Sequence, residues 1–156
     1  MKPRRRSSAP TGPHAIAGRE VDTASVTLRF FGDDLDPADV SRILGAQPTM
    51  SRRKGDRIPD GRIAETGSWL LSAETMSKSS LESQIDGLFA RLSQEAGLWR
   101  PLALKYRGDL FCGLWSMEWN CGTELSAEML QRVSARGLRM CFDIYYVDSN
   151  GEPSPR

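Results

Sequence analysis

Two blocks of this chain, Leu35–Ile43 and Leu125–Val133, are written as helix starts with the same grammar. In the first, Asp36 is the N-cap, Pro37 takes the first helical position, and Asp39 stands where a capping box reaches back. Leu35 before the cap and Val40 in the next turn form a hydrophobic staple. In the second block Ser126 replaces Asp36, Leu125 and Leu130 supply the staple, and Arg132-Val133 follows where Arg42-Ile43 stood. Each block comes after a segment of alternating apolar residues, so the chain reads as two strand-then-helix halves.

The remaining elements fill this frame. Strand Ser25–Phe31 alternates Val26, Leu28 and Phe30 with Thr27, Arg29 and Phe31. Val40, Ile43 and Leu44 make the stripe of the first helix, and Gly45 is its stop. Residues 46–66 form a long polar connection with a turn at Pro59-Asp60-Gly61. A strand follows at Ser68–Ala73, with Trp69 and Leu71 on one face. Ser79 is the expected cap of the second helix, with Glu82 as its capping-box partner and Gly97 at its end. Residues 98–107 stay open between a short helix and an irregular stretch broken at Pro101. Strand Asp109–Trp119, a helix from Ser126 to Gly137 and strand Leu138–Val147 complete the order. The pattern β-α-β-α-β-α-β predicts an α+β fold. Its mixed or antiparallel sheet has at least four strands and helices mainly on one face. With two βαβ-like halves, it is a sandwich related to the ferredoxin-like arrangement.

Only 39% of the residues are hydrophobic, and the deficit lies at the ends. The expected organisation is a disordered basic arm over residues 1–24, one domain over 25–146, and a disordered tail over 147–156. Residues 1–21 carry five basic side chains against one acidic, and the rest of the chain carries 16 against 19. The folded part is therefore mildly acidic, which argues against a nucleic-acid partner beyond weak phosphate contact by the arm. Cys112, Cys121 and Cys141 are odd in number and lack metal or redox spacing, so reduced thiols are expected. No apolar run reaches the roughly 18 residues a membrane span needs, and no secretory leader is legible. A cytoplasmic protein without a membrane partner is the expectation.

The chemistry is mostly exclusion. The single histidine, His14, lies in the arm, away from any triad or metal site in the domain. No phosphate-cradling glycine loop and no nucleophile elbow occur. No catalytic residue, metal ligand or cofactor is assigned. Asp33, Asp34, Asp36 and Asp39 cluster at the first helix start, where capping and the helix dipole account for them. Arg52, Arg53 and Lys54, followed by Gly55 and Asp56, are the suggestive group. Guanidinium forks suit phosphate or carboxylate, and glycine admits close approach. These five residues and Trp69 are the candidate ligand or partner contacts. Trp69 and Trp115 are expected to face the core and Trp119 to be partly exposed. Asp143 is read as solvated, with a pairing to Arg52 or Arg53 as the other option.

Several segments resemble a bacterial family catalogued only as a domain of unknown function: Phe31-Gly32-Asp33-Asp34-Leu35-Asp36-Pro37, Leu44-Gly45-Ala46-Gln47-Pro48-Thr49, Arg52-Arg53-Lys54-Gly55-Asp56, Thr66-Gly67-Ser68-Trp69 and Phe142-Asp143-Ile144-Tyr145-Tyr146. Their order over residues 25–146 carries the resemblance, which implies a small bacterial α+β protein and no activity. The functional expectation is a non-enzymatic interaction module. It binds a protein or small acidic ligand through the 46–66 loop, for example in an immunity-type or regulatory role. The alternative is a carboxylate and arginine enzyme acting on a phosphate- or carboxylate-bearing substrate with Mg²⁺.

Overall fold

The computed structural model describes residues 18–74 and 79–147. His14 and the ends beyond these bounds lie outside the described residues. The elements are β1 (Arg19–Glu20), β2 (Thr23–Gly32), α1 (Pro37–Leu44), β3 (Met50–Arg52), β4 (Gly67–Ser72), α2 (Leu81–Ala90), α3 (Ala96–Lys105), β5 (Asp109–Ser116), β6 (Cys121–Gly122), α4 (Ala127–Ala135) and β7 (Arg139–Tyr146). Five strands form a mixed sheet in the order β3-β4-β2-β5-β7, and β1 pairs in parallel with β6. The predicted α+β class holds. No helix among the described residues is long and apolar enough to cross a membrane.

Alternation decides the layers. Val26, Leu28 and Phe30 of β2, Trp69 and Leu71 of β4, and Leu110, Cys112 and Leu114 of β5 are buried in one cluster with the helices. The helices contribute Val40, Leu44, Ile85, Leu88, Phe89, Trp99, Leu102, Met129 and Val133 to it. Arg29, Phe31, Phe111 and Trp115 point to the other face and stay half-buried. The chain thus places its helices on one side and leaves the second face open.

The two halves match at their helix starts and differ in their sheets. Asp36 caps α1 through the Ala38 N–H, and Ser126 caps α4 through the Met129 N–H. The staple residues Leu35 and Val40 are both buried, and Gly45 ends α1 at φ 73°. In the second half β5 and β7 pair in parallel around α4. In the first half β4 is inserted antiparallel between β2 and β3.

Several boundaries differ from the sequence reading. β1 and the start of β2 belong to the fold, so the arm does not extend to residue 24. At the other end the fold takes in residue 147, because Val147 is buried and its N–H donates to the Ser116 carbonyl at 3.0 Å. The 46–66 connection contains β3, whose three residues are too few to show alternation. Ser80, one residue later than expected, caps α2. Gly97 sits in the first turn of α3, and Pro101 lies inside that helix. The proline removes one ladder hydrogen bond. Burial of Trp99, Leu102 and Ala103, with the Trp99 indole donating to the Ser93 carbonyl at 2.8 Å, holds the helix regardless.

Candidate functional site

The basic segment of the first half is divided by the strand it enters. Arg52 ends β3 opposite Ser68, on the open face of the sheet. Arg53 turns the other way, to the helix start: its guanidinium donates to Asp36 at 2.7 Å and its backbone N–H to Asp56 at 2.7 Å. Lys54 reaches Asp33 at 2.6 Å. The Lys54 ammonium holds the Asp33 carboxyl below its usual range, and the Ala38 N–H followed by Arg53 does the same for Asp36. Asp34 pairs with Lys105 and Asp39 with Arg42, so each acid of the first turn faces a different cation. The pattern is a set of caps and tethers.

Residues 55–64 fold back as a hairpin. The Gly55 and Ala64 N–H groups donate to the Ala64 and Asp56 carbonyls, both at 2.8 Å, and the Ile58 N–H donates to the Arg62 carbonyl. The expected turn at Pro59-Asp60-Gly61 closes it, with Gly61 at φ 84°. Gly55 takes φ 90°, a value that favours glycine.

Hairpin and sheet together enclose a trough of about 890 Å³. Phe31, Met50, Ser68 and Leu70 floor it, and Ile58, Ile63 and Ala64 wall it. Arg52, Lys54 and Arg62 bring cations to the lining, and Glu65 brings an acid. Lys54 is tethered to Asp33 and Arg62 to Asp60. Arg52 forms no ion pair among the described residues; its guanidinium contacts the Met50 sulfur at 3.2 Å. An apolar floor with one unpaired guanidinium suits a group that is part apolar and part anionic.

Residues 22–147 match the profile of a family described as Domain of unknown function (DUF4279). The chain belongs to that family. No curated protein and no solved structure matches it. The DUF4279 span starts one residue before β2 and ends at Val147, so it takes in the whole five-stranded sheet, the trough and all of α1 to α4.

Of the six candidate contacts, Arg52, Lys54 and Gly55 line the trough of the DUF4279 domain. Arg53 and Asp56 lie on its helix side, joined by the Arg53 N–H. Trp69 faces the core as expected and is corrected only as a candidate contact: it is fully buried, packs edge-on against Phe30 at 6.0 Å, and donates its indole N–H to Ser41 at 2.9 Å. Its position on the helix side of β4 removes it from the site. Trp115 corrects the other way. It lies on the open face and stacks on Tyr145 at 5.3 Å, because β5 turns Leu110, Cys112 and Leu114 to the helices. Trp119 is 88% exposed. Asp143 accepts from the Tyr145 hydroxyl and sits on β7, the edge opposite β3, so no pairing with Arg52 or Arg53 exists.

Sequence reasoning missed Met50, Ile58 and Ile63, whose apolar character inside a polar stretch was the available signal. It also missed Arg29 at the middle of the open face. Arg29 bonds Asp109 through two nitrogens at 2.8 and 3.1 Å and lies over the Phe111 ring at 4.2 Å. The Asp109 hydrogen bond raises the Arg29 pKa above its ordinary value. Burial pushes the Cys112 thiol up to about 12, which leaves it a poor nucleophile.

Proposed function

We propose that the chain is a non-enzymatic interaction module that receives an acidic group, borne by a protein partner or a small ligand, in the trough between the 55–64 hairpin and the open sheet face. The observation that carries this reading is Arg52, a guanidinium without an ion-pair partner among the described residues, at the edge of the apolar floor made by Phe31, Met50 and Leu70. A carboxylate entering there gains a charge-assisted hydrogen bond while its apolar body covers the floor. The acids beside the basic segment are committed elsewhere. Asp36 caps α1 and holds Arg53, and Asp56 accepts the Arg53 N–H. That commitment supports binding over a carboxylate and arginine enzyme with Mg²⁺.

Affinity capture from the source cell, with the wild type beside Arg52→Ala and, separately, Arg53→Ala, tests the reading. Partners lost by Arg52→Ala and kept by Arg53→Ala support it, and an unchanged set with Arg52→Ala contradicts it.

A further inference from the structure

β7 forms one edge of the five-stranded sheet, and no described strand pairs with its outer side. The N–H groups of Arg139 and Val147 point inward, to the Gly108 and Ser116 carbonyls. Strand geometry therefore turns the N–H and C=O groups of Met140, Phe142, Ile144 and Tyr146 outward. The same four residues lie in register with Leu110, Cys112, Leu114 and Ser116, on the helix side of the sheet. Yet Phe142 is 48%, Ile144 67% and Tyr146 52% exposed. A long edge strand with large apolar side chains is a template for another strand.

We infer that β7 pairs antiparallel with β7 of a second copy of this chain, with Cys141 opposite Cys141. Identical strands meeting about a two-fold axis are antiparallel, and the pairing must join outward-facing residues to outward-facing residues. The centre then falls on a residue. Centring on Asp143 sets that carboxylate against its own copy, which costs free energy. Centring on Phe142 leaves Arg139 facing Tyr145 and Asp143 facing a thiol. Centring on Cys141 places Arg139 opposite Asp143 on both sides of the axis and Met140 opposite Phe142 on the helix side. The Arg139 side chain is 67% exposed, with only a 3.7 Å approach to Asp109, so it is available. Charge complementarity selects the Cys141 register. The pairing would join two sheets at the edges remote from β3, leaving both troughs open, so it stands independently of the proposed ligand.

The register makes a covalent prediction. Opposed residues of a non-hydrogen-bonded antiparallel pair have Cα atoms about 4.5 Å apart, within the reach of a disulfide. The test combines light scattering behind size exclusion with diamide oxidation of the Cys121→Ser variant. Diamide takes one hydrogen from each of two thiols, leaving the disulfide and the hydrazine. The expected mass is twice the 17.3 kDa of one chain. Diamide locks that dimer covalently, Cys141→Ser abolishes the lock, and Phe142→Lys, which sets a cation against Met140 of the second copy, halves the mass with an unchanged circular dichroism spectrum. A monomer at every concentration overturns the inference. So does a dimer that diamide fails to lock and Phe142→Lys leaves intact. A monomer with its 140–146 amides protected from exchange also overturns it, by assigning the edge to the chain's own terminal segments.

Discussion

Glu82 of α2 accepts hydrogen bonds from both the backbone N–H and the hydroxyl of Ser126, the N-cap of α4, at 2.7 and 2.8 Å. The two residues stand 44 positions apart. Ser126 in turn accepts the Met129 N–H at 3.1 Å, and Arg132 pairs with Asp86 further along the same helices. One carboxylate thus fixes the start of α4 against α2.

Removing either member releases the same connection. Ser126→Ala is expected to cost about 1 kcal/mol and Glu82→Ala about 1–2 kcal/mol. Because the groups share one network, the double variant loses clearly less than the sum. Urea denaturation measures all three. Strict additivity contradicts the shared clamp.

Trp69 is a packing residue whose polar end is satisfied inside the core. Trp69→Ala is expected to destabilise by about 3–5 kcal/mol, close to the total stability of many domains. Ser41→Ala keeps the volume but strands the indole N–H, at about 1–3 kcal/mol. Thermal unfolding checks both, and a Trp69→Ala protein as stable as the wild type contradicts this placement.

Arg29 and Asp109 form a two-bond pair whose acid is almost fully buried and whose base is partly open to solvent. Asp109→Asn leaves a cation between Phe31 and Phe111 without its counter-charge. Partial solvent screening brings the expected cost down to about 2 kcal/mol. Denaturant midpoints in low and high salt test it. Unchanged stability contradicts a structural role for the pair.

The tethers of the basic hairpin titrate in acid. Asp33 and Asp36 have folded pKa values below their ordinary ones, so their contribution is present above the ordinary carboxylate range and is lost as pH falls through the folded values. Protection factors of the Gly55 and Ala64 amides, corrected for the intrinsic pH dependence of exchange, are expected to hold from neutral pH down to about 4, then fall before those of core amides such as Leu28. Loss of protection near neutral pH contradicts this, as does loss only with global unfolding.

Local rules made most of this fold legible. The caps at Asp36 and Ser126, the Leu35/Val40 staple, the Gly45 stop and the faces of β2 all follow from neighbours in sequence. Features set by distant residues did not. Glu82 reads as a capping-box partner for its own helix and instead serves Ser126. Trp115 is apolar enough for the core, but which sheet face receives helices is a global outcome. β3 is too short to signal itself, so the division of Arg52 and Lys54, which line the trough, from Arg53, which turns to the helix start, was invisible in the sequence. The hairpin turn and the basic segment were readable; the apolar floor beneath them was not.

Amide shifts in a titration of the isotope-labelled protein with succinate, and separately with a polyglutamate peptide, test the binding account most directly. The account predicts changes confined to Phe31, Met50–Arg52, residues 54–66 and Ser68–Leu70, abolished by Arg52→Ala and partly kept by Arg52→Lys. Scattered or absent changes with both probes, or a response that Arg52→Ala leaves unaltered, would contradict it.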